Sequence, residues 1–279
     1  MANRNLVAAL RERLLRRGVL VCALVAFACG ISLPYLMRTF LPGTGALPFT
    51  AVAASVVIDL AGLALVLAWM PVERGESWAA LGTWVAVTLC VGPAFIGMGL
   101  VGAHQEPMYV FIVLWGLFAA QAALVLAVHA LLSQFVGAQA ALQVTILLLG
   151  AAVTALFWSR PVIQRLASDP SRTVSMAVSR TLTDGVLGLS PPLSLSSVWN
   201  QESAAAREAN AGQARFDLIR APMTYDVWLG SYQALPYSQI LPGKTHEGTF
   251  GLGLILKMLL AALPVIAVCD VLSARAARF

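Results

Sequence analysis

The fold class this sequence predicts is an all-α integral membrane protein: six transmembrane helices, with an exoplasmic, mostly helical cap between the fifth and the sixth. Three observations predict it. Charged residues make up 11% of the 279 positions and hydrophobic ones 59%. A soluble domain has roughly 25% charged residues, so much of this surface must face something other than water. Six stretches are apolar over about the 20 residues that a helix needs to cross roughly 30 Å of hydrocarbon. Arginine crowds the N-terminus and is sparse in alternate connections, as the positive-inside bias requires.

Residues 1–17 hold Arg4, Arg11, Arg13, Arg16 and Arg17, with Leu6, Leu10 and Leu14 at a spacing of four. That pattern suits a basic amphipathic helix lying in the membrane interface. A solvated basic tail that only signals topology is the plainer alternative. The first apolar stretch, 18–37, is long for a secretory leader and has no small-residue cleavage site before Arg38, so a retained helix is expected. Further spans are expected at 49–71, 78–102, 108–132 and 136–158, which makes 18–158 a set of five transmembrane helices. Pro71 to Glu76 and His104 to Pro107 separate the middle ones. The fourth and fifth are divided only by Ser133, Gln134 and Phe135, with Gly137 just beyond. This is the thinnest boundary, and losing it would invert everything downstream.

Residues 159–249 form the cap. Ser168, Asp169 and Pro170 mark a helix start, followed by a face of Val174, Ala177, Val178, Thr181 and Leu182. Asp184-Gly185 and the run Ser190, Pro191, Pro192 read as turns, with a second helix expected over 193–211. Tyr225, Trp228, Tyr232 and Tyr237 stand where an interfacial aromatic belt would place them; a small core within the cap explains them equally well. The sixth span is expected at 250–272, and 250–279 carries it together with a cytoplasmic tail.

Arginine bias orients the chain. With the N-terminus inside, the inner segments hold the five N-terminal arginines, Arg74, Arg275 and Arg278, and the short outer segments hold only Arg38. Both termini are then cytoplasmic and 159–249 is exoplasmic, in a multi-pass protein of the bacterial inner membrane. The net charge of +5, concentrated at that end, points to an anionic lipid surface rather than to nucleic acid.

Chemistry is narrowed mainly by what is missing. Cys22, Cys29, Cys90 and Cys269 all fall in apolar runs without a CxxC pair, which argues against structural zinc. A lone His129 in a span cannot hold a b-type haem from two sides, and His104 and His246 lie in connections. Asp217, Asp226, Glu202 and Glu208 in the cap have no acid–base spacing. No nucleophile elbow, zinc-protease or phosphate-loop motif occurs. No enzyme activity, metal or cofactor is therefore expected.

Ionisable groups in hydrocarbon are expensive, roughly 2.5–3.5 kcal/mol each on insertion scales, and default to functional candidates. Asp59 and Lys257 are two such groups, at depths of ~15 Å and ~11 Å from the outer boundary at 1.5 Å per residue. A lysine can also reach along its stem. An intramembrane Asp59–Lys257 pair joining the second and sixth spans is expected, either as a coupling element or as a static clamp. Thr88, Gln121, Gln143 and Thr145 collect at similar depth, as the lining of a polar passage or as interhelical hydrogen-bond glue worth about 0.6 kcal/mol each. Gly92-Pro93, Gly97, Gly99 and Gly102 either loosen the third span or let it pack closely; Pro264 stands similarly in the last.

The basic amphipathic segment 3–17, the charged inner turn with Glu73, Arg74 and Glu76, and an exoplasmic excursion before the last span together resemble the permease subunits of six-span ABC-type exporters. The resemblance is one of topology over the whole chain. It implies a membrane-embedded transporter subunit driven by a separate cytoplasmic ATPase, which would dock on Glu73, Arg74 and Glu76. The short inner turn and the large cap depart from the family's pattern. A structural or assembly subunit of a larger membrane complex, homo- or hetero-oligomeric, is the other reading, with the cap as its docking surface.

Overall fold

The computed structural model describes residues 18–40, 47–70, 78–102, 108–154, 191, 195 and 250–276. Among them all regular structure is helical: α1 (Val19–Phe40), α2 (Leu47–Ala68), α3 (Ala79–Gly102), α4 (Met108–Val136), α5 (Ala138–Val153) and α6 (Phe250–Ala276). Four of these helices hold windows long and apolar enough to cross a membrane: Val19–Leu36, Ala79–Val101, Met108–Val136 and Ile255–Ser273. That is the make-up of a multi-pass membrane protein. Shorter apolar lengths, Ala54–Ala68 and Ala138–Val153, lie in α2 and α5. The 16 residues of α5 rise about 24 Å.

Pairs of contacts fix the helix directions. Trp84 Nε1 of α3 donates to the Ala119 carbonyl of α4 at 2.8 Å, and Trp115 Nε1 of α4 donates back to the Thr88 carbonyl at 3.0 Å. Four residues forward on α3 match four backward on α4, so the two are antiparallel. Gly116 faces Ile255, and Gln134 Nε2 donates to Ser273 Oγ at 3.0 Å. Here both helices advance together, so α4 and α6 are parallel.

The α1–α3 seam is the closest approach. A methyl on Gly30 would fall on the Ala94 carbonyl, and one on Gly97 would meet the Phe27 carbonyl at 2.7 Å. Cys90 Sγ donates to the Val19 carbonyl at 3.5 Å. The two helices are thus parallel, with α1 starting opposite the middle of α3. Lipid tails are as apolar as leucine, so small residues that admit backbone approach decide where such helices bind. The glycines of α3 serve close packing: Gly92 receives the Trp115 ring and Gly99 receives Met108. The helices also run straight through Pro34, Pro93 and Pro264 in the sense that none ends there.

A helix break does follow the thin boundary expected at 133–135, but at a different place. Ser133, Gln134 and Phe135 are helical, and the break is Gly137 alone, at φ 85°. An L side chain rarely adopts that conformation and glycine does so freely. Gln121 and Val128 of α4 share one cavity with Thr145 and Ala152 of α5, so the chain doubles back at this residue. Pro191, read from sequence as part of a turn, is helical, and so is Leu195, whose side chain is fully buried in the main apolar core. At least this part of the 159–249 segment packs into the bundle. The remainder of the segment expected to form a cap, the 1–17 segment and residues 277–279 lie outside the described residues.

Candidate functional site

A helix begins with four N–H groups that have no partner inside it. At the start of α3 two of them are met from the far end of the chain. Ala80 N–H donates to Asp270 Oδ1 and Leu81 N–H to Oδ2, each at 3.2 Å. Asp270 is buried at the last turns of α6, and a carboxylate there also meets the positive end of the α3 dipole. Trp78, just before α3, has φ 65°, which turns the chain sharply into the helix. Thr83 Oγ1 lies 3.3 Å from the Trp69 carbonyl and 3.0 Å from that of Ala79, so it ties the end of α2 to the start of α3. The Gln134–Ser273 bond holds the end of α4 to α6 close by.

This basal junction joins the ends of α2, α4 and α6 to the start of α3. Glu73, Arg74 and Glu76, the expected docking residues, lie outside the described residues. Both shoulders of their turn are anchored, by Thr83 on one side and Asp270 on the other. Hydrogen bonds to a charged group contribute roughly 1.5–3 kcal/mol, against about 0.6 kcal/mol for an average interhelical bond in lipid. The Asp270 cap therefore outweighs the two tryptophan straps between α3 and α4.

The other residues singled out from sequence separate. Asp59 is fully buried in α2, one turn from the buried Ser55, whose hydroxyl lies 3.8 Å from Met98 Sδ of α3. Lys257 is exposed, off the α6 stripe of Ile255, Met258, Ala262, Ile266 and Cys269 that is buried. α6 packs on α4 and, less extensively, on α3; α2 packs on α1, α3 and α4. The helices carrying Asp59 and Lys257 thus share no extensive seam, because α4 and α3 are the partners of both.

Of the four uncharged polar residues, Gln121 and Thr145 come together. Both are buried and both line a cavity of about 240 Å³ between α4, α5 and α6, lined also by Pro191 and Met258. Gln143 is exposed and Thr88 lines the α3–α4 contact instead; neither they nor Asp59 line that cavity. Thr145 Oγ1 donates to the Ala141 carbonyl at 2.7 Å, a bond within α5 rather than between helices. Among the cysteines, Cys90 and Cys269 are buried, Cys22 is partly so and Cys29 is exposed.

Asp270 was open to sequence reasoning. It is an ionisable residue inside the last apolar run, and the rule that singles out Asp59 applies to it equally. What sequence does not show is its partner, since two backbone N–H groups 190 and 189 residues away leave no compositional mark. Trp84 and Trp115 are likewise visible as amphipathic aromatics, but not as reciprocal straps. No protein-family model matches the chain, no curated protein matches it, and no solved structure matches it.

Proposed function

We propose that this chain is the membrane-embedded, permease-like subunit of a transporter driven by a separate ATPase subunit. In this reading it spans the bacterial inner membrane six times, with both termini cytoplasmic and most of 159–249 exoplasmic. One observation carries it: the short turn between α2 and α3 is tied at both shoulders, and one tie is a carboxylate from α6. A push on that turn would reach α2, α3 and α6 together, which is what a docking point for an external motor needs. An isolated loop could absorb the push.

Purification of the full chain from its own membranes in mild detergent tests the reading. The expected result is a co-purifying subunit that hydrolyses ATP and is lost when Glu73, Arg74 and Glu76 are replaced together by serine. A stable complex of membrane subunits without any ATPase would overturn it in favour of an assembly role.

A further inference from the structure

The cavity between α4, α5 and α6 has an occupant of its own to explain. Gln121, which lines it, stands near the middle of the 29-residue α4, so for a spanning helix the cavity lies in the hydrocarbon centre. Leu148 lines the cavity and is also 51% exposed, and its neighbours Ile146 and Leu147 are exposed as well. The mouth therefore opens through the lipid-facing side of α5. Among the described residues, the lining apart from Gln121 and Thr145 is apolar, with Leu124, Val125 and Leu149 in it. Water in such a site would need two to four polar partners, and the Thr145 proton is already given to Ala141.

We propose that this cavity is a binding site for one acyl chain of a bilayer phospholipid, entering sideways between α4 and α5. Depth, opening and lining chemistry select the same occupant: at mid-bilayer, in front of exposed leucines, the abundant material is the middle and end of an acyl chain. The site stands whether or not the protein transports anything. A chain seated there would rest against Pro191 and Met258, so it would also contact the long segment between α5 and α6 and the face of α6 that packs on α4.

The test uses the full chain in phosphatidylcholine vesicles doped with a lipid carrying a photoactivatable diazirine, placed either in mid-chain or next to the headgroup. Adducts are located by mass spectrometry after digestion. The expected result is mid-chain labelling of Leu124, Val125 and Leu149 at severalfold the level of the exposed α1 residues Leu20, Val21 and Leu24, with little labelling of the cavity by the headgroup-proximal probe. Leu149→Trp, which fills the cavity, should cut cavity labelling severalfold and leave α1 labelling as it was. Unchanged α1 labelling also reports that this variant is folded. Cavity labelling no higher than that of α1 in the unsubstituted protein would overturn the proposal, since annular lipid alone gives that result. The absence of cavity adducts would also overturn it, pointing to a second copy or another protein segment in the space.

Discussion

The α1–α3 seam and the α4–α5–α6 side are built from similarly apolar helices, yet one closes to backbone contact and the other leaves about 240 Å³ open. Hydrophobicity cannot explain the difference, because burying an apolar helix against another gains little over burying it in lipid. Small residues explain it. Gly30 and Gly97 remove the side chains that would hold α1 and α3 apart. Across the cavity, Leu124, Val125, Leu148 and Leu149 face one another, and α5 is too short to cover α4 along its length. Of α5 only Ala141 and Thr145 are buried, one turn apart.

The largest effect should come from breaking the tight seam. Gly30→Leu places a branched side chain on the Ala94 backbone, and overpacking of that kind costs about 3 kcal/mol or more when the backbone must move. The expected outcome is loss of the monodisperse peak on detergent size-exclusion after mild heating. Gly150→Ala on α5, where an added methyl meets nothing within 4 Å, should leave the peak unchanged.

Asp270→Ala comes next. It strips the buried Ala80 N–H and the partly buried Leu81 N–H of their acceptor, at about 1–3 kcal/mol for an unsatisfied buried group. Amide exchange at Ala80 and Leu81 should accelerate by at least tenfold, while exchange in mid-α4 stays slow. Asp270→Asn keeps one oxygen and should recover part of the protection.

A smaller effect is expected from Gly92→Ala, which pushes the Trp115 indole off its place and removes its bond to the Thr88 carbonyl. The cost is about 1–2 kcal/mol, from modest overpacking and one interhelical bond. Tryptophan emission should shift, most simply read in a variant that keeps Trp115 alone. The smallest effect belongs to the open side: Leu149→Phe adds volume where space exists, and thermal stability should change by less than about 1 kcal/mol in either direction. A loss as large as that of Gly30→Leu would mean that the cavity is not open and that the two sides are packed alike.

Much of the architecture was legible in the residues. Among the described residues, apolar length located the six helices α1 to α6 to within a few positions, since crossing hydrocarbon imposes a long, low-charge run that little else imitates. Their partners were not legible. Counting residues along the apolar runs gives Asp59 and Lys257 matching expected depths, but depth says nothing about which helices share a seam, and here α4 is the larger neighbour of α6. Gln121 and Thr145 meet because Gly137 folds α5 back on α4, whereas Gln143, two residues from Thr145, points away on the other side of the helix. The choice between hinge and packing for the α3 glycines needed the neighbouring rings and carbonyls to be in place. Asp270 shows the limit most plainly, because the two backbone N–H groups that it caps, 190 and 189 residues away, leave no mark in the sequence.

The central claim is that the α2–α3 turn and the end of α6 move as one unit through Asp270, and that a separate ATPase drives them. ATP hydrolysis by the co-purified complex, reconstituted in vesicles, tests it most directly when the unsubstituted chain is compared with Asp270→Asn and Asp270→Ala. The account predicts that all three retain the ATPase, and that hydrolysis departs from the unsubstituted rate severalfold in Asp270→Ala and less in Asp270→Asn. Equal rates in all three complexes, with the subunit still bound, would contradict it.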